Sequence, residues 1–534
     1  QTILRTDGTT SASSNPISRY AELHAHSNYS FQEGASEIWD LLLTAKNIGL
    51  KAMAITDHDN ITGAMEFSQA AKELGIKPII GVEITLSRGL SEPSGTKHLP
   101  PNQPHITLLA ETAIGYKNIC RLTTRAHVDA EERKYPNLDP IVLKKHSQGI
   151  ICLSGCRQGE ISKLVDNGDF ESARHATSKY LNIFGKEHFF MELQQNLVMG
   201  DLQRNQNMAK LANDLGVGIV ATNNVHYHIR DRHRLNDSLI AIKHNKSLEA
   251  SHRERRPNDQ FFLKSAEEMS ALFKTLPEAI TNTTKIADRC EFDVTSNSIY
   301  DFPSYEFLPP GHTESSYLRK ICEEAAVRRY GSLKTNVVTR LDREFALLEK
   351  HQLIGFVLQY YDIIKIAREV QEDLGLVEPG LPIEEDPPGR GRGSSVALLT
   401  GYLTGLSHID PLKFGLRLDR FLPETYDGEK LPPPDIDLDF PREIRTELIL
   451  RVHERWGYER AVLTGMISTY RTRGAIRDLG KALGIAHDDL IRLSKHIDGQ
   501  NPITDLTKEM TELPEFQNQI DAPVWRMLLE LARS

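Results

Sequence analysis

Residues 20–31 read YAELHAHSNYSF. His24 and His26 stand two apart in a β-type run, so in a strand both imidazoles leave from one face, which is how a strand presents a pair of metal ligands. The runs that follow alternate in character: EIWDLLLTAKNIG (37–49), AMAIT (52–56), AMEFSQAAKELG (64–75) and PIIGVEITL (78–86) continue a β-α-β-α-β rhythm. The rhythm goes on more loosely through HITLLA (105–110), GYKNICRLTTRAH (115–127), GIICLSG (149–155), HFFMEL (188–193), MAKLANDLG (208–216) and GIVATNNVHY (218–227). Residues 19–290 therefore read as one α/β domain, either barrel-like or doubly wound. Both arrangements put functional side chains where strands end and loops begin.

Further ligand types fall at those ends. Asp57, His58 and Asp59 follow AMAIT, Glu83 lies in GVEIT, His105 opens HITLLA, Cys156 follows ICLSG, and His226 lies in TNNVHY. Imidazole, carboxylate and thiolate together suit zinc or manganese-like ions, and several of them at strand ends can build a polynuclear centre. One histidine at a strand end is more often a hydrogen-bonded surface residue. The pair with its companions points to metal instead.

The second half changes texture. From about Glu314 to Leu374 the pattern is helical, with YLRKICEEAAVRRYG and TRLDREFALLEKH. The stretch EPGLPIEEDPPGRGRGSS (378–395) reads as a loop, followed by the apolar, helix-like VALLTGYLTGL (396–406). In PPPDIDLDFP (432–441), Asp435, Asp437 and Asp439 recur at period two, so the three carboxylates share one strand face while Ile436, Leu438 and Phe440 pack inward. Like charges crowded on one face call for a cation, and hard oxygen ligands favour Mg²⁺. An Asp-rich turn that is merely solvated, or that caps the helix expected from Arg442, is the plainer reading. Upstream, Gly391-Arg392-Gly393-Ser394-Ser395 precedes the apolar helix, where backbone N–H groups can cradle phosphate oxygens and arginine adds charge. A phosphate cradle some forty residues before a carboxylate strand is what a metal-dependent nucleotidyl transferase needs. Helices are expected from Arg442 to the end.

Within RGAIRDLGKALGI (473–485), Arg473, Arg477 and Lys481 recur every fourth residue and line one helical face, with Arg471 nearby. Residues 442–481 hold nine Lys/Arg against five Asp/Glu, a local basic excess in a chain of net charge −9. Such a face suits contact with a phosphate backbone; an ordinary solvated face is the alternative.

A chain of 534 residues is too long for one core and predicts several modules. No apolar run is long enough to span a bilayer, and the polar first 18 residues read as a disordered tail with no export signal. Five cysteines, with only Cys152 and Cys156 close together, argue against a disulfide framework and fit the cytoplasm.

The combination ELHAHSNYSF, AITDHDN, GVE, His105, LSGC and NNVHY resembles the PHP domain, a distorted β/α barrel found alone as a phosphoesterase and also fused to bacterial DNA polymerases. The resemblance covers about residues 19–230. It implies metal-ligand positions at His24, His26, Glu33, His58, Glu83, His105, Cys156 and His226, holding Zn²⁺ or Mn²⁺. Glu33 stands where an aspartate is usual, and Asn224 stands where many members have an aspartate ligand. An amide is a neutral and weaker ligand, which favours metal binding over turnover here.

GRGSS, followed by GYLTGLSHIDPLKFGLRLDRFLPE and PDIDLDF, resembles the palm of bacterial C-family polymerases, the DNA polymerase III alpha family. AVLTGMISTYRTRGAIRDLGKALGI resembles the thumb segment that follows, in a form closer to the error-prone translesion branch. The resemblance implies a first part of a Pol beta-like, α+β palm over 291–440 and a truncated helical thumb over 441–534. Asp437 and Asp439 would be two of three carboxylates holding catalytic Mg²⁺, with Asp435 in support. Gly393 and Ser394 would hold the incoming triphosphate, and Arg392 and Arg420 could reach its oxygens or form surface ion pairs. Arg471, Arg473, Arg477 and Lys481 would meet DNA.

The implied activity is template-directed transfer from dNTP to a primer 3′-hydroxyl. Primer-template DNA, dNTP, a sliding clamp and other replication or repair proteins are the implied partners, with no membrane. In this resemblance the third palm aspartate and the fingers follow the thumb, so these 534 residues alone are expected to bind DNA with negligible extension. A PHP phosphoesterase or 3′–5′ exonuclease, and a metal-stabilised DNA-binding scaffold, are the competing readings.

Overall fold

The computed structural model describes residues 19–96, 98, 102–132, 134–296, 304–419, 421–424, 435–457, 460–497 and 506–533. The expected N-terminal tail (1–18) and Arg420 lie outside the described residues. The chain forms two compact units, one of residues up to 295 together with 469–534, the other of residues 296–468.

The first unit opens with α1 (Ile38–Asn47), β1 (Ala52–Ile55), α2 (Ala64–Leu74), β2 (Lys77–Thr85), β3 (His105–Ala110), α3 (Ala113–Val128) and β4 (Ile150–Leu153). It continues with α4 (Glu160–Asp166), α5 (Phe170–Phe184), β5 (Phe189–Gln194), α6 (Asp201–Leu215), β6 (Gly218–Thr222), α7 (His233–Lys243), α8 (Ala266–Leu272) and α9 (Pro277–Arg289). In α1, Ile38, Leu41, Leu42 and Ala45 recur at helical spacing and are the buried face. β1 and β4 are buried at every position, the pattern of strands covered on both sides.

The six strands lie in sequence order, β1 to β6. β2–β3 and β3–β4 pair antiparallel and the other neighbours pair parallel. A doubly wound sheet reverses its strand order part-way; this one does not. The run 20–25, expected as a strand, makes two isolated bridges, Glu22 to Met53 and Ala25 to Val225. The Ala54 N–H donates to Glu22 O and the His26 N–H to Val225 O, both at 2.8 Å. One short segment thus ties β1 to the residues just after β6, and the sheet curls towards a barrel.

That topology gathers the candidate ligands. His58, Cys156 and His226 follow β1, β4 and β6, which run the same way, and Glu83 lies near the end of β2. His105 begins β3, which is antiparallel, so the start of β3 lies beside the end of β2, with Thr85 opposite His105. All reach the same rim.

The second unit holds α10 (Glu314–Tyr330), α11 (Thr335–Lys350), α12 (Ile354–Asp373), β7 (Arg390–Arg392), α13 (Leu399–Leu403), β8 (Asp437–Asp439) and α14 (Arg445–Trp456). Leu318, Cys322, Leu341, Leu348, Leu358 and Leu399 belong to its core. The single apolar helix expected over 396–406 is instead a 3₁₀ turn at Gly393–Ala397 and the five-residue α13, separated by Leu398 in an extended conformation (ψ 126°). Buried Glu344 explains where α13 starts: its carboxylate accepts the Leu399 and Thr400 N–H groups at 2.7 and 2.9 Å.

After α14 the expected run of helices is interrupted. Residues 461–471 carry neither helix nor strand, and Val462, Thr464, Gly465, Ile467 and Thr469 are poor helix formers. The chain then rejoins the first unit as α15 (Thr472–Ala482), α16 (His487–His496), α17 (Leu506–Glu512), α18 (Pro514–Gln517) and α19 (Pro523–Arg533). Ile476, Leu479, Leu493, Trp525 and Leu528 form their core, against which Leu235 and Ile242 of α7 pack.

Candidate metal centre and aspartate strand

Glu83 is the hub of the rim. Its Oε1 lies 3.5 Å from both His24 Nε2 and His105 Nδ1, and its Oε2 lies 3.6 Å from His26 Nε2 and 3.5 Å from His58 Nδ1. Two overlapping ligand groups result, His24–His26–Glu83 and His58–Glu83–His105, with Glu83 common to both. Cys156 Sγ stands 4.0 Å from His105 Nδ1.

Buried polar atoms normally have partners. Here His24 Nε2, His26 Nε2 and Glu83 Oε1 are buried without a hydrogen bond, and each is a ligand atom aimed into the cluster. The donor set and these orphaned atoms fit a bound metal ion.

The electrostatics make the same demand. Burial alone would push His24 down, yet the Glu192 and Glu83 carboxylates carry it up to about 10. Burial likewise opposes the charged form of His58, but Glu33 and Asp59 raise it to about 9. Glu83, against the effect of burial, is held well below the usual carboxylate range by His105 and His24. The carboxylates call for positive charge at this point, which is what a metal ion carries.

Outer contacts fix the ligands. His24 Nδ1 meets Glu192 Oε1 at 2.6 Å, and Glu192 also accepts from Thr222 and Gln194. His26 Nδ1 meets Ser30 Oγ at 2.9 Å, and Ser30 donates to Asp57 at 2.7 Å. Both contacts leave Nε2 facing the cluster, the second layer that holds metal-binding imidazoles in place. Asp57, a candidate from its position, is occupied by Ser27 and Ser30. Asp59 accepts from the N–H and hydroxyl of Thr85 at 2.8 and 2.7 Å, with one oxygen 3.5 Å from His58 Nε2.

Glu33 and His226 have other partners. Glu33 pairs with His58 Nδ1 at 3.2 Å and with the Lys243 ammonium. His226 takes a 2.9 Å contact from the Arg256 guanidinium at Nδ1 and lies 3.0 Å from Asn224 Oδ1 at Nε2.

In the other unit, β7 pairs antiparallel with β8, placing Arg392 opposite Asp437 and Arg390 opposite Asp439. The glycine-rich turn and the aspartate strand, distant in sequence, are direct neighbours. Arg392 Nε lies 2.9 Å from Asp439 Oδ2, and Arg390 Nε lies 3.8 Å from it. Gly389 lets the two segments come together, since a Cβ there would lie 2.6 Å from Asp439 O. Gly391 packs against Leu406: its N–H donates to Leu406 O at 2.6 Å, and a Cβ there would come 2.5 Å from that oxygen. Gly393 turns the chain with φ +74°, and buried Ser395, not the half-buried Ser394, donates to Arg392 O at 2.9 Å. Ile436 is buried, and Leu438 and Phe440 pack against the core, as the alternation requires. Asp435 and Asp437 are exposed and near Tyr360 of α12, whose hydroxyl is pushed up by burial and by their charges. The carboxylates of this strand are hard oxygen ligands of the kind Mg²⁺ takes.

The sequence matches the PHP domain family over residues 22–196 and the bacterial DNA polymerase III alpha NTPase domain family over residues 316–534. An error-prone DNA polymerase of Symbiobacterium thermophilum is 32% identical over 515 residues, which are 93% of this chain and 44% of that protein. DNA polymerase III subunit alpha of Treponema pallidum is 30% identical over 517 residues, 96% of this chain and 42% of that one. The subunit of the same name from Thermus aquaticus is 32% identical over 538 residues, with 90% and 43% covered. The chain carries a PHP domain and a bacterial DNA polymerase III alpha NTPase domain. It spans less than half the length of these relatives.

In the segment that matches the polymerase domain, Arg471, Arg473, Arg477 and Lys481 are all exposed, while Ala475, Ile476, Leu479 and Ala482 bury the opposite side of α15. Two of the four are tied down locally: Arg473 Nε donates to Ile497 O at 2.9 Å, and Lys481 Nζ to Asn245 Oδ1 at 2.5 Å. Sequence reasoning missed Glu192, Lys243 and Arg256 around the histidine cluster. Glu192 had a signal, a lone carboxylate in the apolar run FFMEL; the two cations had none. No described helix is long and apolar enough to cross a membrane.

Proposed function

We propose that this chain serves template-directed DNA synthesis, transferring a nucleotide from dNTP to a primer 3′-hydroxyl, with a metal-holding PHP domain in the same polypeptide. The observation that carries this reading is the β7–β8 pairing, which sets arginines and a glycine turn beside a file of aspartates. In it Asp437 and Asp439 hold Mg²⁺, which when bound lowers the pKa of the primer hydroxyl and neutralises the triphosphate. Arg392, the Gly393 backbone and Ser394 bind the triphosphate oxygens. Because Arg392 already pairs with Asp439, its guanidinium would have to leave that carboxylate to reach a triphosphate oxygen, and the freed Asp439 would be available to hold Mg²⁺.

Zn²⁺ or Mn²⁺ fits the mixed imidazole, carboxylate and thiolate set of the PHP domain. Primer-template DNA and dNTP are the substrates, with a sliding clamp and other replication or repair proteins as partners, in the cytoplasm. Relatives named for error-prone synthesis and for the alpha subunit match at the same 32% identity, so the translesion reading rests on residues 469–484 alone. A second reading, a 3′–5′ exonuclease or other phosphoesterase in the PHP domain, is favoured by the orphaned His24, His26 and Glu83 atoms.

Incubating these residues, joined to the downstream palm strand and fingers that the family resemblance implies, with labelled primer-template, Mg²⁺ or Mn²⁺ and dNTP separates these readings; the 534 residues by themselves are expected to bind DNA with negligible extension. Template-directed incorporation supports the first, and shortening of the primer without incorporation supports the second. Retained DNA binding with neither supports a scaffold.

DNA binding has its own prediction. Replacing Arg471, Arg473, Arg477 and Lys481 with alanine is expected to flatten the dependence of log K on log salt by about 0.9 for each DNA phosphate that is no longer neutralised. An unchanged slope in fluorescence-anisotropy titrations would return the face to solvent.

A further inference from the structure

At the Glu33–His226 end of the PHP centre the protein supplies its own positive charge. An arginine side chain only donates hydrogen bonds. His226 Nδ1 lies 2.9 Å from Arg256 Nη2 and 3.3 Å from the Glu33 carbonyl oxygen; the shorter contact, from a group that can only donate, makes that nitrogen the acceptor and puts the ring proton on Nε2. Nε2 in turn lies 3.0 Å from Asn224 Oδ1, an acceptor. Both imidazole nitrogens are therefore engaged, and the lone pair that could reach a metal is the one facing the guanidinium. Arg256 itself is seated over the Phe261 ring, 5.1 Å from its centroid. The neighbouring carboxylate, Glu33, is paired through one oxygen with the Lys243 ammonium, while its other oxygen lies 3.2 Å from His58 Nδ1. Among the described residues, neither convergent ligand group includes Glu33 or His226.

We propose that Arg256 and Lys243 stand in for a metal ion at this end, so the centre holds two ions joined by Glu83, and Glu33 and His226 serve as partners of fixed cations. The proposal rests on the reading that His24, His26, His58, Glu83 and His105 hold metal. Its physical content is charge substitution: two side-chain cations replace one divalent ion, and Asn224 completes the exchange. An aspartate at 224 would add a negative charge that Arg256 and Lys243 are not arranged to share, whereas the amide oxygen accepts the Nε2 proton and adds no charge.

The test is metal content by mass spectrometry after loading with excess Mn²⁺ and removal of weakly held ions. Wild type is expected to retain about two ions per chain and the triple variant Asn224→Asp/Lys243→Met/Arg256→Met about three. Three ions in wild type, or two in a folded triple variant, would overturn the proposal. Should the triple variant not fold, histidine ¹⁵N spectra of wild type decide: on Zn²⁺ addition His24, His26, His58 and His105 should shift while His226 keeps its Nε2-bound proton. A metal-shifted His226 refutes the substitution. An absence of bound ions in wild type, with unshifted histidines, refutes the metal reading itself and this proposal with it.

Discussion

Glu83→Gln is expected to remove most of the metal held by the PHP domain, a larger loss than any single histidine substitution should produce. Four imidazoles lie within 3.6 Å of its two carboxylate oxygens, so one residue serves both ligand groups. Glutamine keeps the shape but removes the charge, and its amide nitrogen is a hydrogen-bond donor that turns towards a histidine instead of an ion. Ligand-linked stability follows. An ion present at about a hundred times its Kd stabilises the folded state by about 2.7 kcal/mol. At about 2–4 °C per kcal/mol for a domain of this size, chelation of wild type should lower its Tm by about 5–10 °C. Glu83→Gln should show little further drop on chelation. Asp57→Asn is the contrast: it disturbs the Ser27 and Ser30 contacts and should cost stability while leaving most of the metal. Wild-type metal content in Glu83→Gln would show that the cluster is a hydrogen-bonded network and not a metal centre.

What could be read in the sequence depended on whether the signal was local. The pair His24–His26 and the file Asp435–Asp437–Asp439 are period-two patterns, and a strand's geometry follows from them without any partner. That Glu83 is the hub could not be read, because it requires the parallel register of β1 with β2 and the bridge from His58 to Glu83. The antiparallel β3 was hidden for a similar reason: HITLLA has the same apolar character as its parallel neighbours, and direction is set by the connections. The apolar run 396–406 suggested one helix, but Glu344, some fifty residues upstream, supplies the acceptors that start α13 at Leu399. Arg256 and Lys243 come from segments with no ligand-like pattern, and only the fold brings them to His226 and Glu33. The GRGSS turn and the aspartate strand each read as weak signals. Their meaning lies in the pairing of β7 with β8.

That pairing sets the last prediction. In primer-extension assays of these residues joined to the downstream palm strand and fingers that the family resemblance implies, Asp437→Ala and Asp439→Ala are each expected to reduce extension by at least about a hundredfold, since misplacing a reacting group by about 1 Å costs on that order. The two should differ in how they bind nucleotide. Asp439 carries the ion pair to Arg392 at 2.9 Å; removing it frees the guanidinium, so dNTP binding without Mg²⁺ should strengthen while the gain on adding Mg²⁺ disappears. Asp437 has Arg392 opposite it in the ladder, but the side-chain pair is made with Asp439. Asp437→Ala should therefore lose the Mg²⁺-dependent part with no metal-free gain. Asp435 lies outside β8, and its alanine variant should stay within about tenfold of wild type, the smaller effect of a group that supports the others. Isothermal titration of dNTP with and without Mg²⁺, alongside extension rates, reads all three variants. Extension that survives in Asp437→Ala and Asp439→Ala would mean the aspartate strand is not where the chemistry occurs. Equal nucleotide binding by the two variants would remove the role given to the Arg392–Asp439 exchange.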